Sequence, residues 1–174
     1  MKNTRTVGLI VLLVVVAFGA WWYLNHRSAG QTGGQITMYY TKMDGKTEAG
    51  WPVSMLVQPS GETAAQQLHD TVQYAAVQAV AGPPPNIEAV RFPAGTRVNS
   101  VSVAGSTATV DLSRDVENQP GGTFGENAEF KSLVYTLTAL PGIDAVQVTV
   151  AGHTLATLPG GNLELDQPLR RSDW

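Results

Sequence analysis

Three carboxylates, Asp111, Asp115 and Glu117, lie at or just after the short segment VDLS, which has the alternating pattern of a strand. Two carboxylates that meet at the end of a strand can act as acid and base on a glycosidic bond, or they can hold a cation. Carboxylates in such loops also commonly accept hydrogen bonds from the amides of their own turn. The pattern is compatible with an acidic site and with a solvated turn, and both interpretations stay open here.

The chain contains three histidines and no cysteine. His69 is followed directly by Asp70 in a segment of helical periodicity, where adjacent side chains point in different directions, so a solvated histidine is favoured over a catalytic base. No histidine has a metal-ligand partner at short spacing, and no phosphate-loop, zinc-protease or serine-hydrolase motif occurs. We therefore expect no catalytic residue, no cofactor and no metal.

Local signals predict the elements that position these residues in the first half of the domain. Residues 36–42 and 52–58 are rich in β-branched and aromatic types and predict two strands, with a turn at Asp44-Gly45. Thr63-x-x-Gln66 has the form of a capping box and predicts the start of a helix, which Gly82 and the following prolines end.

The second half repeats this order. Residues 98–103 and 107–112 alternate apolar and polar types around a glycine turn and predict a β-hairpin. Thr123-x-x-Glu126 predicts a second capping box, with Glu126 and Glu129 near the positive end of the helix dipole. Residues 145–150 and 153–158 predict a last hairpin through Ala151-Gly152. The order β-β-α-β-β-α-β-β predicts an α+β fold of two ββα halves, with both helices on one face of a mainly antiparallel sheet.

Two residues of the first predicted helix, Tyr74 and Val77, project off its alanine-rich stripe. They are a candidate surface for a partner, although single half-exposed apolar residues are also ordinary on protein surfaces.

Size and charge exclude several classes of function. A chain of 174 residues with 43% apolar residues can bury one core without disulfides or metals. Its net charge is −3, and the part after Arg27 carries eight basic against fourteen acidic residues. A nucleic-acid partner is therefore not expected.

Residues 7–24 form an uncharged apolar run, from Val7 to Leu24, that would span roughly 27 Å as a helix. This length predicts a transmembrane signal-anchor helix, with residues 1–6 in the cytoplasm because Lys2 and Arg5 precede the run. Trp21, Trp22 and Tyr23 suit the outer headgroup level. A cleaved signal peptide is the alternative, since residues 17–19 form a small-x-small triplet. Residues 25–35 predict a Gly-rich tether, and residues 36–170 an extracytoplasmic domain.

Several segments, in order, resemble the GerMN domain of spore germination and sporulation proteins. These segments are YYT, AVAGPPP, FPAGTRVNSVSVAGSTATVDLS, LVYTLTALPG and IDAVQVTVAG, and the resemblance extends over about residues 35–169. The resemblance implies an extracytoplasmic domain that binds and assembles with other components of the envelope, without known catalysis. This chain differs from members with a lipidated cysteine because it has a predicted membrane helix, and it contains one copy of the pattern.

The resulting hypothesis is a single-pass membrane protein whose domain binds an envelope protein or peptidoglycan, with homo-oligomerisation possible. A cell-wall hydrolase or hydrolase activator using Asp111 and Asp115 is the alternative from another class. A receptor for a small ligand is a third, which would require a deep apolar pocket between helices and sheet.

Overall fold

The computed structural model describes residues 34–54, 63–118 and 122–174. The predicted anchor, the residues predicted to be cytoplasmic and most of the predicted tether lie outside this part of the chain. No helix within the described residues is long and apolar enough to cross a membrane.

Five strands and two helices alternate in the described residues. The bounds are β1 Gln35–Thr41, β2 Thr47–Ser54, α1 Ala64–Ala81, β3 Val98–Ala104, β4 Thr107–Leu112, α2 Gly122–Leu137 and β5 Ala145–Val150. Short 3-10 helices occupy Arg114–Glu117 and Arg171–Asp173. The predicted α+β class is confirmed.

The strands form two sheets, which differs from the single sheet predicted. β1 and β2 form an antiparallel hairpin, while β4 lies between β3, to which it is antiparallel, and β5, to which it is parallel. Parallel pairing is possible here because α2 connects β4 to β5 and carries the chain back to the same end of the sheet. The two helices pack against each other, and each contacts strands of both sheets.

The start of α1 was predicted correctly. The Gln66 amide donates to Thr63 Oγ1 at 3.2 Å, and the Thr63 amide donates to Gln66 Oε1 at 3.0 Å, which is the reciprocal pair of a capping box. Gly82 follows the helix with a positive φ of 83°, which a glycine adopts without a steric cost.

Three local predictions were wrong. β2 begins at Thr47, earlier than expected, because the tight turn at Asp44-Gly45 lets pairing start at once with Thr41 opposite Thr47. Residues 153–158 do not form a strand, since their pairing with β5 ends after the single bridge from Val150 to His153. Another segment occupies the β5 edge, where Leu169 and Val146 exchange two backbone hydrogen bonds.

The third correction concerns Glu126. α2 begins at Gly122, so Glu126 lies beyond the first turn and is fully buried, and its Oε2 accepts from the amides of Asn162 and Leu163 at 2.9 and 3.4 Å. The predicted second capping box is therefore absent, and Glu126 instead fixes a distant loop. Glu129 is also buried outside the first turn.

The core lies between the helices and the two sheets. Phe130 of α2 is fully buried and meets Phe92 edge to face at 5.7 Å between ring centroids. The largest fully buried apolar residues of the core also include Met38, Leu112, Leu133 and Leu137. The helix–sheet interface is thus filled by large side chains.

Candidate functional site

The turn between β1 and β2 projects an apolar side chain into solvent. The Gly45 amide donates to Lys42 O at 2.9 Å, and Asp44 Oδ1 accepts from the Lys46 amide at 3.0 Å. Gly45 has a φ of +83°, a conformation that favours glycine. This geometry leaves Met43 68% exposed.

Phe124, in the first turn of α2, lies next to the same turn. A methyl group added at Gly45 would come within 3.7 Å of the Phe124 ring, and that ring is 47% exposed. Ile87 is half-buried and lines a surface depression together with Met43. We call Met43, Ile87 and Phe124 the hairpin-tip surface. Exposed apolar side chains near one another are typical of interaction sites.

A groove of about 300 Å³ runs beside this surface along the hairpin, which we call the hairpin groove. Its lining includes Tyr40, Lys42, Glu48, Gly50, Pro52 and Ile87. Residues 84–90 form its second wall because the Val90 amide donates to Thr41 O at 2.9 Å.

Gly50 shapes the floor of the hairpin groove. A side chain at this position would overlap the Tyr40 ring, so the glycine lets that ring lie across the hairpin. Burial raises the pKa of the Tyr40 hydroxyl above its ordinary value, partly offset by the positive charge of Arg91. Tyr40 is therefore a neutral wall of the groove at physiological pH.

A second groove, of about 290 Å³, lies between the turn and α2, and we call it the α2 groove. Phe124, Lys131 and Trp174 line it together with Gly45 and Asn127. The two grooves flank the hairpin tip, so three distant segments of the chain meet at this place.

Asp111 serves as a structural link at the end of β4. Its Oδ1 accepts from the Gly152 amide at 2.7 Å and from Thr149 Oγ1 at 2.8 Å, and its Oδ2 accepts from Asn99 Nδ2 at 2.9 Å. Partial burial alone would raise the pKa of Asp111, but these three donors together lower it below its ordinary value. The carboxylate thus joins the end of β4 to β3 and to the turn after β5.

Asp115 belongs to a different network. Its Oδ2 accepts from Ser113 Oγ at 2.9 Å and lies 4.0 Å from an Arg97 guanidinium nitrogen. Glu117 ends the adjacent 3-10 helix and is half-buried. The hydrogen bonds of Asp111 and Asp115 involve separate partners, so the structure does not join these carboxylates in one hydrogen-bonded pair.

Within the described residues, no group of three or more His, Asp or Glu side chains is placed to hold a metal ion. His69 Nε2 lies 3.1 Å from Val101 O, and its Nδ1 lies 3.4 Å from Asp70 Oδ1. The imidazole therefore links α1 to β3, and it is less solvated than the sequence indicated.

The predicted partner surface on α1 is modest. Val77 is 42% exposed, whereas Tyr74 is half-buried and packs against the core. The sequence analysis did not select Met43 or Phe124. The sequence signal that could have found them is the position of Met43 directly before the Asp44-Gly45 turn and of Phe124 next to a Gly-rich segment, because turns and loops lie at the surface.

The fold defines the class of protein: a two-helix α+β domain in which the helices pack against a β-hairpin and against a mixed three-stranded sheet. The Germane family model, described as sporulation and spore germination, matches residues 37–156. The chain therefore belongs to this family, and its described residues form one GerMN domain.

Individual relatives agree with this assignment. The chain is 32% identical over 114 residues to the spore germination protein GerM of Bacillus subtilis. The matched residues are 66% of this chain and 30% of GerM. The chain thus spans about a third of that relative.

Solved structures show the same fold. The first GerMN domain of the Bacillus subtilis sporulation protein GerM is 26% identical, with a TM-score of 0.57 over 80% of this chain and 99% of that domain. A Clostridium perfringens protein described as a lipoprotein is 19% identical, with a TM-score of 0.55 over 80% of this chain and 89% of that one. At this identity the second likeness concerns the fold alone.

Proposed function

We propose that this chain is a non-catalytic binding and assembly module of the bacterial cell envelope, anchored in the membrane and acting outside it. The observation that carries the proposal is the hairpin-tip surface, where Met43 in the β1–β2 turn and Phe124 beside that turn are both exposed. Membership of a family described by sporulation and spore germination supports a role in an envelope process.

The location rests on the sequence pattern of the N-terminal segment. Val7 to Leu24 has the length and hydropathy of a membrane-spanning helix, with basic residues before it. Trp21, Trp22 and Tyr23 would sit at the outer interface. The Gly-rich tether of residues 25–35 then places the domain just outside the bilayer, where its apolar tip is accessible to partners.

A protein partner fits the hairpin-tip surface better than peptidoglycan does. Methionine adapts to irregular apolar surfaces, and phenylalanine contributes large buried area at interfaces. Removing these two side chains from water gains free energy only if the partner presents apolar groups of its own. A second copy of this chain is one such partner.

Site-specific photo-crosslinking in the native cells tests the proposal. A photoreactive phenylalanine analogue replaces Phe124, and the matched control carries it at Val77, which is similarly exposed on α1. We expect the Phe124 probe to capture an envelope protein and the Val77 probe to capture none. Capture only from Val77 would move the interface to the predicted surface on α1.

Two further results would contradict the proposal. Recovery of the chain from the cytosol would remove the envelope location. Retention of the pure chain on purified cell wall, together with no protein adduct from Phe124, would replace the protein partner by peptidoglycan.

A further inference from the structure

Lys131 brings a positive charge to the α2 groove and forms no ion pair with a carboxylate of the described residues. Lys131 Nζ makes one long hydrogen bond, to Gly45 O at 3.4 Å, and lies 5.8 Å from the centroid of the Tyr135 ring. The ion pairs of the described part of the chain involve other residues. Two of the three ammonium donors thus remain for a ligand.

The walls of the α2 groove add an apolar face to this charge. Phe124 offers a ring that is 47% exposed. Trp174 also lines the groove, and its indole Nε1–H is buried without a hydrogen-bond partner among the described residues. Because this N–H is buried in a residue of the groove lining, its resonance responds to changes in the packing around Trp174.

The hairpin groove provides the contrast. Its lysine, Lys42, forms an ion pair with Glu48, and this hydrogen bond raises the pKa of the Lys42 ammonium. Its charges are therefore matched internally, and it favours neutral apolar groups. The α2 groove combines the Lys131 cation with an aromatic wall, so its complement is an anion attached to an apolar group.

We infer that the α2 groove binds a carboxylate of a partner protein, held by Lys131, with the neighbouring apolar side chain packed on Phe124. This inference rests on the proposed function, because it supplies the chemistry of the partner at the same surface. The partner segment is acidic and apolar, and the binding step makes no covalent bond.

The test uses the full chain in lipid nanodiscs and a minimal probe, N-acetylphenylalanine, which carries one carboxylate and one aromatic ring. The neutral control is N-acetylphenylalaninamide. We expect the acid, but not the amide, to shift the Trp174 indole Nε1–H resonance at millimolar concentration.

Matched variants assign the charge. Lys131→Met should weaken binding of the acid about tenfold, since a charge-assisted hydrogen bond is lost, whereas Lys131→Arg should retain it. Lys46→Met removes the same charge from the adjoining turn, outside the groove lining, and should change the affinity less than about twofold. Comparable spectra of the unliganded variants show that the fold is intact.

Equal binding of acid and amide would overturn the inference, as would equal losses in Lys131→Met and Lys46→Met. A response to a neutral N-acetylglucosamine oligomer and none to the acid would assign the groove to a glycan and also overturn it. Capture of a protein through Phe124 in cells with no binding of the acid overturns this inference and leaves the proposed function standing. Binding of the acid with no protein captured through Phe124 overturns the proposed function and the protein partner, and leaves only the carboxylate-binding chemistry of the groove.

Discussion

Replacing Gly161 by alanine tests the contact between α2 and the loop of residues 160–163. A Cβ at position 161 would overlap both carboxylate oxygens of Glu126, closer than real Cβ contacts come. Glu126 is fully buried, so its side chain has no open space into which it can retreat. The substitution should therefore displace either the carboxylate or the loop.

The cost follows from the bonds that such a displacement breaks. Glu126 Oε2 accepts from Asn162 N at 2.9 Å and from Leu163 N at 3.4 Å. Leaving a buried amide donor without its acceptor costs about 1–3 kcal/mol, and the longer bond contributes less, so the loss is about 3 kcal/mol. Alanine restricts the unfolded chain and returns about 0.5–1 kcal/mol. The net decrease in the free energy of unfolding is about 2 kcal/mol.

Urea unfolding of the full chain in detergent, followed by fluorescence, measures this decrease. With a slope of about 2 kcal/mol per molar urea, the midpoint should fall by about 1 M. Gly160→Ala is the matched control, since Gly160 has a φ of +75° but open space around it. Its backbone strain costs about 1 kcal/mol, and the restriction of the unfolded chain by alanine offsets most of this cost. In a Glu126→Ala background, the additional effect of Gly161→Ala should nearly vanish. The reasoning is refuted if Gly161→Ala and Gly160→Ala have equal midpoints.

Three other predictions concern the polar links of the domain. Because hydrogen bonds lower the pKa of Asp111, its stabilisation is present above the unfolded value near about 3.9 and is lost as pH falls through the folded value. The difference in Tm between wild type and Asp111→Asn should therefore be constant near neutral pH and shrink in acid, and a difference independent of pH would contradict this. Thr136→Val removes the acceptor of the Tyr39 amide and should cost about 1–2 kcal/mol in urea unfolding, against little change for Thr109→Val in β4. Arg171→Lys should lower Tm. The Arg171 guanidinium lies 4.7 Å from the Tyr135 ring centroid and donates to Tyr135 O, and lysine cannot reproduce that planar contact. An unchanged Tm would show that the stacking contributes nothing.

The sequence was most informative where neighbouring residues determine the structure. The reciprocal bonds of Thr63 and Gln66 form within one turn, so their spacing alone predicted the start of α1. Thr123 and Glu126 have the same spacing, but Glu126 bonds a loop that is distant in the sequence. A spacing rule cannot register that competing partner, because the partner approaches only in the folded chain.

The candidate surface was missed for a related reason. Helical periodicity indicates that Val77 leaves the core, and the structure agrees, but periodicity does not show which residues of other elements lie beside it. Phe124 lies beside the turn that carries Met43 only because the β1–β2 turn packs against the start of α2. Closeness in sequence is equally insufficient, since Asp111 and Asp115 are four residues apart in the chain but accept hydrogen bonds from separate partners.

The strand edges explain why a partner would approach at the hairpin tip. The outer edge of β1 is occupied by α2, whose Thr136 and Ser132 hydroxyls accept from strand amides at 3.0 and 2.9 Å. Leu169 occupies part of the β5 edge, and His69 contacts the β3 edge. Within the described residues β2 pairs with β1 alone, so its other edge has no strand partner there. Pro52 has no amide hydrogen and limits strand addition to the part of β2 that begins at the turn. A partner bound at the hairpin-tip surface can therefore extend along this short edge, which joins apolar contact and backbone pairing at one place.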